Sequence, residues 1–517
     1  MSTLVLGVVV CPLLALLVAA MANADVVKRP NILLAISDDQ SFPHAGAYGD
    51  RAAVTPHFDR LAKQGVLFWR AYAGSPGCSP SRAALLTGRH HWQVEHAGTH
   101  GSSFSARFAT YPDLLEAAGY FVGHTGKGWG PGVPGPGRES NPAGPAFNKL
   151  RLKPPHSGFR NTDYAANFAD FLSQRPEGAP FCFWYGGSEP HRGFTAGSGL
   201  KDGGDPDKVS VPGYLPDVPE VRSDLLDYAR EVQHFDEHLG RMVKLLEERG
   251  ELDNTLIIVT SDNGMAFPRA KANCYEHGVH VPLAISWPQQ VGGGREIRDL
   301  VGFVDLAPTI LAAAGLPGLA SRSNMSGSSL LDLLTSDRTG LVDAQRRAYA
   351  GRERHSSSRY NNSAYPQRCM RSDRWLLVHN FRPTRWPAGT PWKFEGSRAG
   401  PPHGGYHDID ACPTLSLLVE RRSDPDFRRF LELAVAKRPE FELFDVEADP
   451  DCLENLASHP EHRSLLARLQ SELHEYLRRT GDPRALDGGE VFETYARLSG
   501  SIRRFPSARE EAERTAP

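Results

Sequence analysis

The sequence predicts an α/β protein in which a mainly parallel sheet carries helices on both faces and a smaller α+β unit follows. Three observations predict it. Short β-rich apolar runs such as Asn31 to Ile36 lack polar alternation, the pattern of strands buried on both faces. They alternate with helical patterns through the first two-thirds of the chain, as parallel crossovers require. Near Tyr365 this alternation gives way to isolated strand-like runs and one leucine-striped helix.

Taken in order, residues 1–24 read as an export leader. Leu4 to Ala20 is apolar but short for a membrane span, and Ala22-Asn23-Ala24 gives a small-x-small cleavage pattern. No Lys or Arg precedes the apolar run, so an uncleaved anchor is the alternative. Export places the protein in a periplasmic, extracellular or lysosome-like compartment. No later stretch approaches the ~20 apolar residues of a spanning helix. Residues 25–365 form the expected catalytic domain. Its strands are Asn31 to Ile36, Tyr120 to Thr125, Phe181 to Tyr185 and Leu256 to Thr260. Ser223 to Arg249 reads as a helix capped by Ser223, with Leu225, Ala229, Val232, Leu239, Val243 and Leu246 as its apolar stripe. Asp236 falls on that stripe and is expected to be a structural carboxylate bonded to a neighbouring loop. Residues 130–147 and 193–219 are Gly/Pro-rich, hence long loops placed to build a site rim. Asp305 to Gly315 reads as a short capped helix, and Leu330 to Leu334 leads out of the domain. Residues 366–500 are expected to form the smaller unit, with strands at Trp375 to Val378 and Phe441 to Phe444. A helix carrying Leu466, Leu469, Leu473 and Leu477 then runs to Gly481. Residues 501–517 are a charged tail.

The net charge of −3 argues against a general nucleic-acid binder, whose domain would be markedly basic. Of seven cysteines, Cys11 lies in the leader. Setting Cys78 aside leaves Cys182, Cys274, Cys369, Cys412 and Cys452, an odd set that permits at most two disulfides. A chain of 517 residues has core enough to need none. The sequence leaves the oligomeric state open, a homodimer included.

Cys78-Ser79-Pro80-Ser81-Arg82 is the most informative stretch. Ser79 is a good N-cap and Pro80 suits a first helical turn, after which Ala83 to Leu86 propagate a helix that Gly88 can stop. Position 78 therefore faces the positive end of a helix dipole, which suits an anion. Read alone, the segment is equally a capping turn with a buried thiol. The rest of the chain decides between them, because each expected parallel strand ends in polar residues. Ser37-Asp38-Asp39 follows the first, Gly126-Lys127 the second, Glu189-Pro190-His191 the third and Ser261-Asp262-Asn263 the fourth. Ligands of open α/β sheets bind beyond the carboxyl ends of strands, so these groups can converge on one crevice. Asp38, Asp39, Asp262 and Asn263 offer hard oxygens, which suit Ca²⁺ or Mg²⁺ and not Zn²⁺. Singly, each pair is also a helix cap or a turn.

The pentapeptide with Ala83 to Arg89 resembles the signature of type I sulfatases. Arg29 to Asp39, Asp262 to Gly264 and Leu443 to Leu456 fit the same family, so the resemblance spans nearly the whole chain after the leader. It is nearest to the sulfamidases, which act on N-sulfoglucosamine of heparin and heparan sulfate. The resemblance implies an alkaline-phosphatase-like fold, a sulfated glycan substrate, and a maturation enzyme that oxidises Cys78 to formylglycine. It also implies a divalent ion, usually Ca²⁺, on Asp38, Asp39, Asp262, Asn263 and the residue-78 oxygen. Arg82 would orient the nucleophile, Lys127 and Lys271 would clamp the sulfate, and His191 would act as general acid. Glu189-Pro190-His191-Arg192 resembles the sulfamidase Asp-Pro-His-Arg segment, and Glu189 joins the substrate-binding candidates. Glu353-Arg354-His355, near the domain junction, reads as a sugar-recognising group or a surface cluster. Trp129 departs from the family, which often carries a second catalytic His two residues after the lysine. Hydrolysis of O-sulfates, phosphodiester or phosphonate hydrolysis, and glycan binding without catalysis stand as the alternatives.

Overall fold

The computed structural model describes residues 29–391, 394–395, 398–399 and 405–498. The expected leader and charged tail lie outside the described residues. Eight strands form the central sheet: β1 (Asn31–Ser37), β2 (Val66–Tyr72), β3 (Phe121–Gly126), β4 (Phe181–Gly186), β5 (Thr255–Ser261), β6 (His280–Ser286), β7 (Arg295–Ile297) and β8 (Val301–Gly302). Their order is β8-β2-β6-β5-β1-β4-β3, with β7 also pairing β2. β6 runs antiparallel to β2 and β5, and every other pairing is parallel. β1, β4 and β5 are buried along their whole length, which is why their sequences read as continuous apolar runs.

Alternate residues of these strands serve opposite faces. Leu33, Ala35, Phe183, Ile257 and Val259 pack against Leu239, Met242, Val243 and Leu246 of the helix Pro219–Glu248. Ile32, Leu34, Ile36 and Ile258 meet Leu85 and Leu86 of the helix Cys78–Thr87 and Leu306 and Ile310 of the helix Leu306–Ala313. The long helix begins at Pro219, one turn before Ser223, because proline at the first helical position starts it without a side-chain cap. Asp236 meets the expectation of a structural carboxylate. It accepts the N–H groups of His57 at 3.0 Å and Phe58 at 2.7 Å, capping the helix Pro56–Gln64.

The C-terminal unit is a four-stranded antiparallel sheet, β9 (Ala348–Arg352), β10 (Gln367–Arg371), β11 (Trp375–Asn380) and β12 (Phe441–Asp445), in chain order. Its first strand lies upstream of Tyr365, where the sequence pattern changes; Ala348–Arg352 is too short and mixed to announce itself. Leu376, Val378, Cys369 and Phe444 face Tyr72, Tyr275 and Leu300 of the larger unit. Their neighbours Leu377, Met370 and Leu443 face Leu469, Leu473 and Leu477 of the helix Arg463–Arg479. The period of two thus docks one face on the catalytic unit and covers the other with a helix. All six described cysteines are free and buried. Among the described residues no helix is long and apolar enough to cross a membrane.

Asp236→Ala removes both cap acceptors at once. Urea unfolding should show a loss of about 1–3 kcal/mol. An unchanged midpoint would mean that water replaces the carboxylate.

Candidate active site

The carboxyl ends of β1 and β5 are cross-linked before any side chain reaches the cleft. Asp262 N–H donates to the Ser37 carbonyl at 3.1 Å and Gln40 N–H to Ser261 Oγ at 2.7 Å. Asp39 N–H donates to Asp262 Oδ1 at 3.0 Å. Asp39 adopts a left-handed backbone (φ 74°), a conformation Asp tolerates better than most residues, and the chain turns sharply there. Its neighbour Asp38 and Asp262 are likewise buried, and Asn263 lies beside them.

Cys78 is the first residue of its helix and Gly77 is the cap, a correction to the expectation that Ser79 caps it. Ser79 is otherwise engaged: its hydroxyl accepts Gly101 N–H at 3.1 Å and its carbonyl accepts the Trp129 indole N–H at 2.9 Å. Gly88 ends the helix in a left-handed conformation, as its position suggests. The Cys78 sulfur lies 3.4 Å from Asp38 Oδ1 and 3.9 Å from Asp39 Oδ1. Cys78, Asp38 and Asp262 present ligand atoms within 4.8 Å of one another. Burial pushes the Cys78 thiol well above its ordinary value, outweighing the nearby Lys127 ammonium.

Arg82, one turn on, is fully buried and binds the cluster from beneath. Its Nε donates to Asp262 Oδ2 at 2.7 Å, and Nη1 donates to the Lys127 and Gly128 carbonyls at 2.7 and 3.0 Å. Gly126 (φ +72°) ends β3, where a Cβ would lie 2.0 Å from the Gly186 carbonyl. That glycine lets the chain turn and aim Lys127 Nζ at Asp38 Oδ2, 2.6 Å away. Lys271 Nζ lies 2.7 Å from Asp39 Oδ2 and 2.9 Å from Asp410 Oδ2. Burial opposes charge on Asp38, but Lys127, His191, Arg82 and Lys271 pull its carboxyl well below the usual range. Burial pushes Asp262 up to about 6 against the pull of Arg82. Lys271 loses solvation, yet Asp39 and Asp410 hold it well above its ordinary value.

Hard-oxygen donors fit a divalent ion here. Asn263 Nδ2 donates to Asp39 Oδ1 at 2.7 Å, while Asn263 Oδ1 is buried with no hydrogen-bond partner. A buried amide oxygen without a donor beside three carboxylates is a ready cation ligand.

The cluster floors a cleft of about 870 Å³ between the two units. Lys127, Lys271, His191, Arg151 and Arg160 line it from the larger unit, and His355, His407 and Asp410 from the chain after β8. His191 is one-third exposed, with Nε2 3.9 Å from Asp39 Oδ2. Residues 130–131 reach the cleft as a rim, but none of 193–219 does. That loop folds back on the long helix, where Asp227 accepts the N–H groups of Gly197 and Gly199, each at 2.8 Å.

Three expected substrate contacts are corrected by burial. Glu189 accepts Arg160 N–H and the Tyr164 hydroxyl, both at 2.9 Å, and is spent on holding its loop. Glu353 is enclosed between Arg368 at 2.9 Å and Arg484 at 2.7 Å. Arg354 is buried beside it and does not line the cleft; His355 does. The His355 ring stacks on His100 at 4.4 Å and abuts Gly77, where a Cβ would lie 2.9 Å from its Nδ1. Burial pushes both imidazoles well below their ordinary value, in His355 against the opposing pull of the Asp408 carboxylate. Trp129 packs edge-on against Phe104 and fixes the start of the Cys78 helix through Ser79. Sequence reasoning missed Asp410 and His100. A Gly-flanked His at 98–101 and the Asp408-Ile409-Asp410 alternation were the available signals, but neither says where a side chain points.

A buried cluster of oxygen donors, flanked by one ammonium group after β3 and another in the loop after β5, suits the binding of an anionic group. The Sulfatase family matches residues 30–316, more than half of the chain, and the protein belongs to that family of sulfuric ester hydrolases. A second family, N-sulphoglucosamine sulphohydrolase C-terminal, matches residues 269–386. The chain is 29% identical to human N-sulphoglucosamine sulphohydrolase, over 88% of this chain and 91% of that protein. It is 25% identical to an ulvan-active sulfatase of Formosa agariphila, over 90% and 77% of the two. A solved complex with D-glucosamine-2-N,6-O-disulfate as its substrate shares the fold at a TM-score of 0.60 and 20% identity, covering 89% of this chain and all of that one.

Arg82→Ala leaves Asp262 buried without its cation. Denaturant unfolding should show a loss of about 3–5 kcal/mol, and a loss below about 1 kcal/mol would show that the pair carries little of the local stability.

Proposed function

We propose that this chain removes the N-sulfate of a terminal glucosamine of heparin or heparan sulfate, after export, with residue 78 matured to formylglycine. The observation that carries the reading is the C-terminal match to N-sulphoglucosamine sulphohydrolase over residues 269–386, which includes Lys271 and His355 of the cleft. The likeness to the human enzyme along most of both chains supports it. Asp38, Asp39, Asp262 and Asn263 would hold a divalent ion, with Ca²⁺ favoured by the all-oxygen set. When bound, that ion supplies neutralisation of the sulfate charge, and formylglycine supplies, as its hydrate, the nucleophile.

The chain's own residues do the rest. Arg82 and the helix start hold position 78 over the carboxylates. Lys127 and Lys271 reach the cleft from opposite sides and bind the sulfuryl oxygens, whose charge otherwise repels a nucleophile. His191 is exposed enough to meet the leaving atom and passes a proton to it. An amine leaves poorly as an anion, so that proton matters more for a sulfamate than for an activated aryl sulfate. The second reading is O-sulfate hydrolysis on another polysaccharide, favoured by the likeness to the ulvan-active enzyme.

Product analysis on N-, 2-O-, 3-O- and 6-O-sulfated saccharides separates the two readings. Free sulfate from N-sulfoglucosamine is the expected outcome; cleavage of O-sulfates alone overturns the first reading, and no cleavage by protein with converted residue 78 overturns both. His191→Ala should slow N-sulfoglucosamine hydrolysis by about 10²–10⁴ and aryl sulfates much less. Equal loss on both would make His191 a sulfate-binding group. Chelation should abolish turnover and Ca²⁺ or Mg²⁺ restore it, while calorimetry on Asp262→Ala should show Ca²⁺ binding lost. A stoichiometric Zn²⁺ requirement would contradict the oxygen-ligand assignment.

A further inference from the structure

One carboxylate in the cleft has no place in the scheme above. Asp410 belongs to the segment 405–412, between β11 and β12, and its side chain is 30% exposed. The segment is held firmly. Asp408, two residues earlier and buried, accepts Ser356 N–H at 2.9 Å and the Ser358 hydroxyl at 3.1 Å, and pairs with Arg352 and Arg359. On the other side, the Thr414 hydroxyl donates to Asp224 at 2.6 Å. Asp410 is thereby fixed with its carboxylate 2.9 Å from Lys271 Nζ and within 4.8 Å of a His191 ring nitrogen and an Asp39 oxygen.

An anion at that place repels sulfate and serves only a donor or a cation. A divalent ion does not suit it, because the Lys271 ammonium already bridges Asp39 and Asp410. The proton donor His191 is beside it, so the leaving atom of the substrate comes to the same corner. An O-sulfated sugar leaves there as a neutral hydroxyl. An N-sulfated one carries an N–H before cleavage and an ammonium after it. We propose that Asp410 is a specificity-determining residue that accepts the N–H of the 2-sulfamino group and pairs with the ammonium of the released sugar. This rests on the N-sulfoglucosamine reading above. The smaller unit then selects the nitrogen, and the larger one binds the sulfate.

The test uses the full chain with residue 78 converted, and two inhibitors of aryl-sulfate hydrolysis, glucosamine and inorganic sulfate. Asp410→Asn should weaken inhibition by glucosamine about 10- to 100-fold, the worth of one charge-assisted hydrogen bond, while sulfate inhibits as well or better. The loss in kcat/KM on N-sulfoglucosamine should exceed the loss on aryl sulfate by about tenfold or more. Asp410→Glu, which keeps the charge, should retain part of the glucosamine inhibition. If sulfate inhibition and both activities fall together, Asp410 only positions Lys271 and the proposal is wrong. If the parent protein cleaves N-sulfoglucosamine but glucosamine inhibits parent and Asp410→Asn alike, or neither, this inference alone fails. A parent protein that cleaves only O-sulfates removes the underlying reading, and the inference with it.

Discussion

The compensation of buried charge at the ends of β1 and β5 governs this structure. Asp38, Asp39 and Asp262 are removed from water, a placement that costs several kcal/mol per ion unless opposite charge and hydrogen bonds replace the solvent. Arg82 supplies that replacement from below through Asp262, and Lys127 and Lys271 supply it from the cleft side. Each cation arrives on a different element: the Cys78 helix, the end of β3, and the loop after β5. Folding therefore buries these carboxylates only together with the elements that carry their cations. The same arrangement that stabilises the fold holds a preorganised field for an anionic substrate.

The parallel sheet makes this convergence inexpensive in backbone strain. Parallel neighbours β3, β4, β1 and β5 all end on one edge, so short turns deliver Lys127, His191, Asp38 and Asp262 to a common floor. Local backbone devices adjust the aim: the left-handed Asp39 and the glycine at 126. Trp129 clamps the first turn of the Cys78 helix through the Ser79 carbonyl. Among the described residues His100, His191, His355 and His407 are the imidazoles that line the cleft.

The antiparallel unit is bound to the catalytic one by a shared apolar face that includes Tyr72, Tyr275, Leu376, Val378 and Phe444. That face lets the smaller unit form a wall of the cleft without contributing to the sheet beneath it. Buried ion pairs stiffen the wall. Arg368 and Arg484 enclose Glu353, and Arg352 and Arg359 enclose Asp408. These groups are chemically able to bind sugar, but their partners are protein, and they fix the neighbouring His355 and Asp410 in place.

The sequence by itself determined the strands whose runs are apolar throughout, the leucine-striped helices, and the sulfatase membership carried by residues 78–89. It also marked Asp38, Asp39, Lys127, His191, Asp262 and Asn263, because polar residues directly after buried strands can only emerge at the sheet's carboxyl edge. Tertiary structure decided everything that depends on the direction of a side chain. Glu189 and Glu353 carry the right chemistry, yet Tyr164 and the Arg368–Arg484 pair consume them. Asp410 lies 139 positions after Lys271, and only folding places the two 2.9 Å apart. The cap of the Cys78 helix was missed for a related reason: local propensity ranks Ser79 as a cap, but its hydroxyl and carbonyl are taken by Gly101 and Trp129. Residue type is written locally and periodicity reports burial, whereas partnership is settled by contacts that no local pattern records.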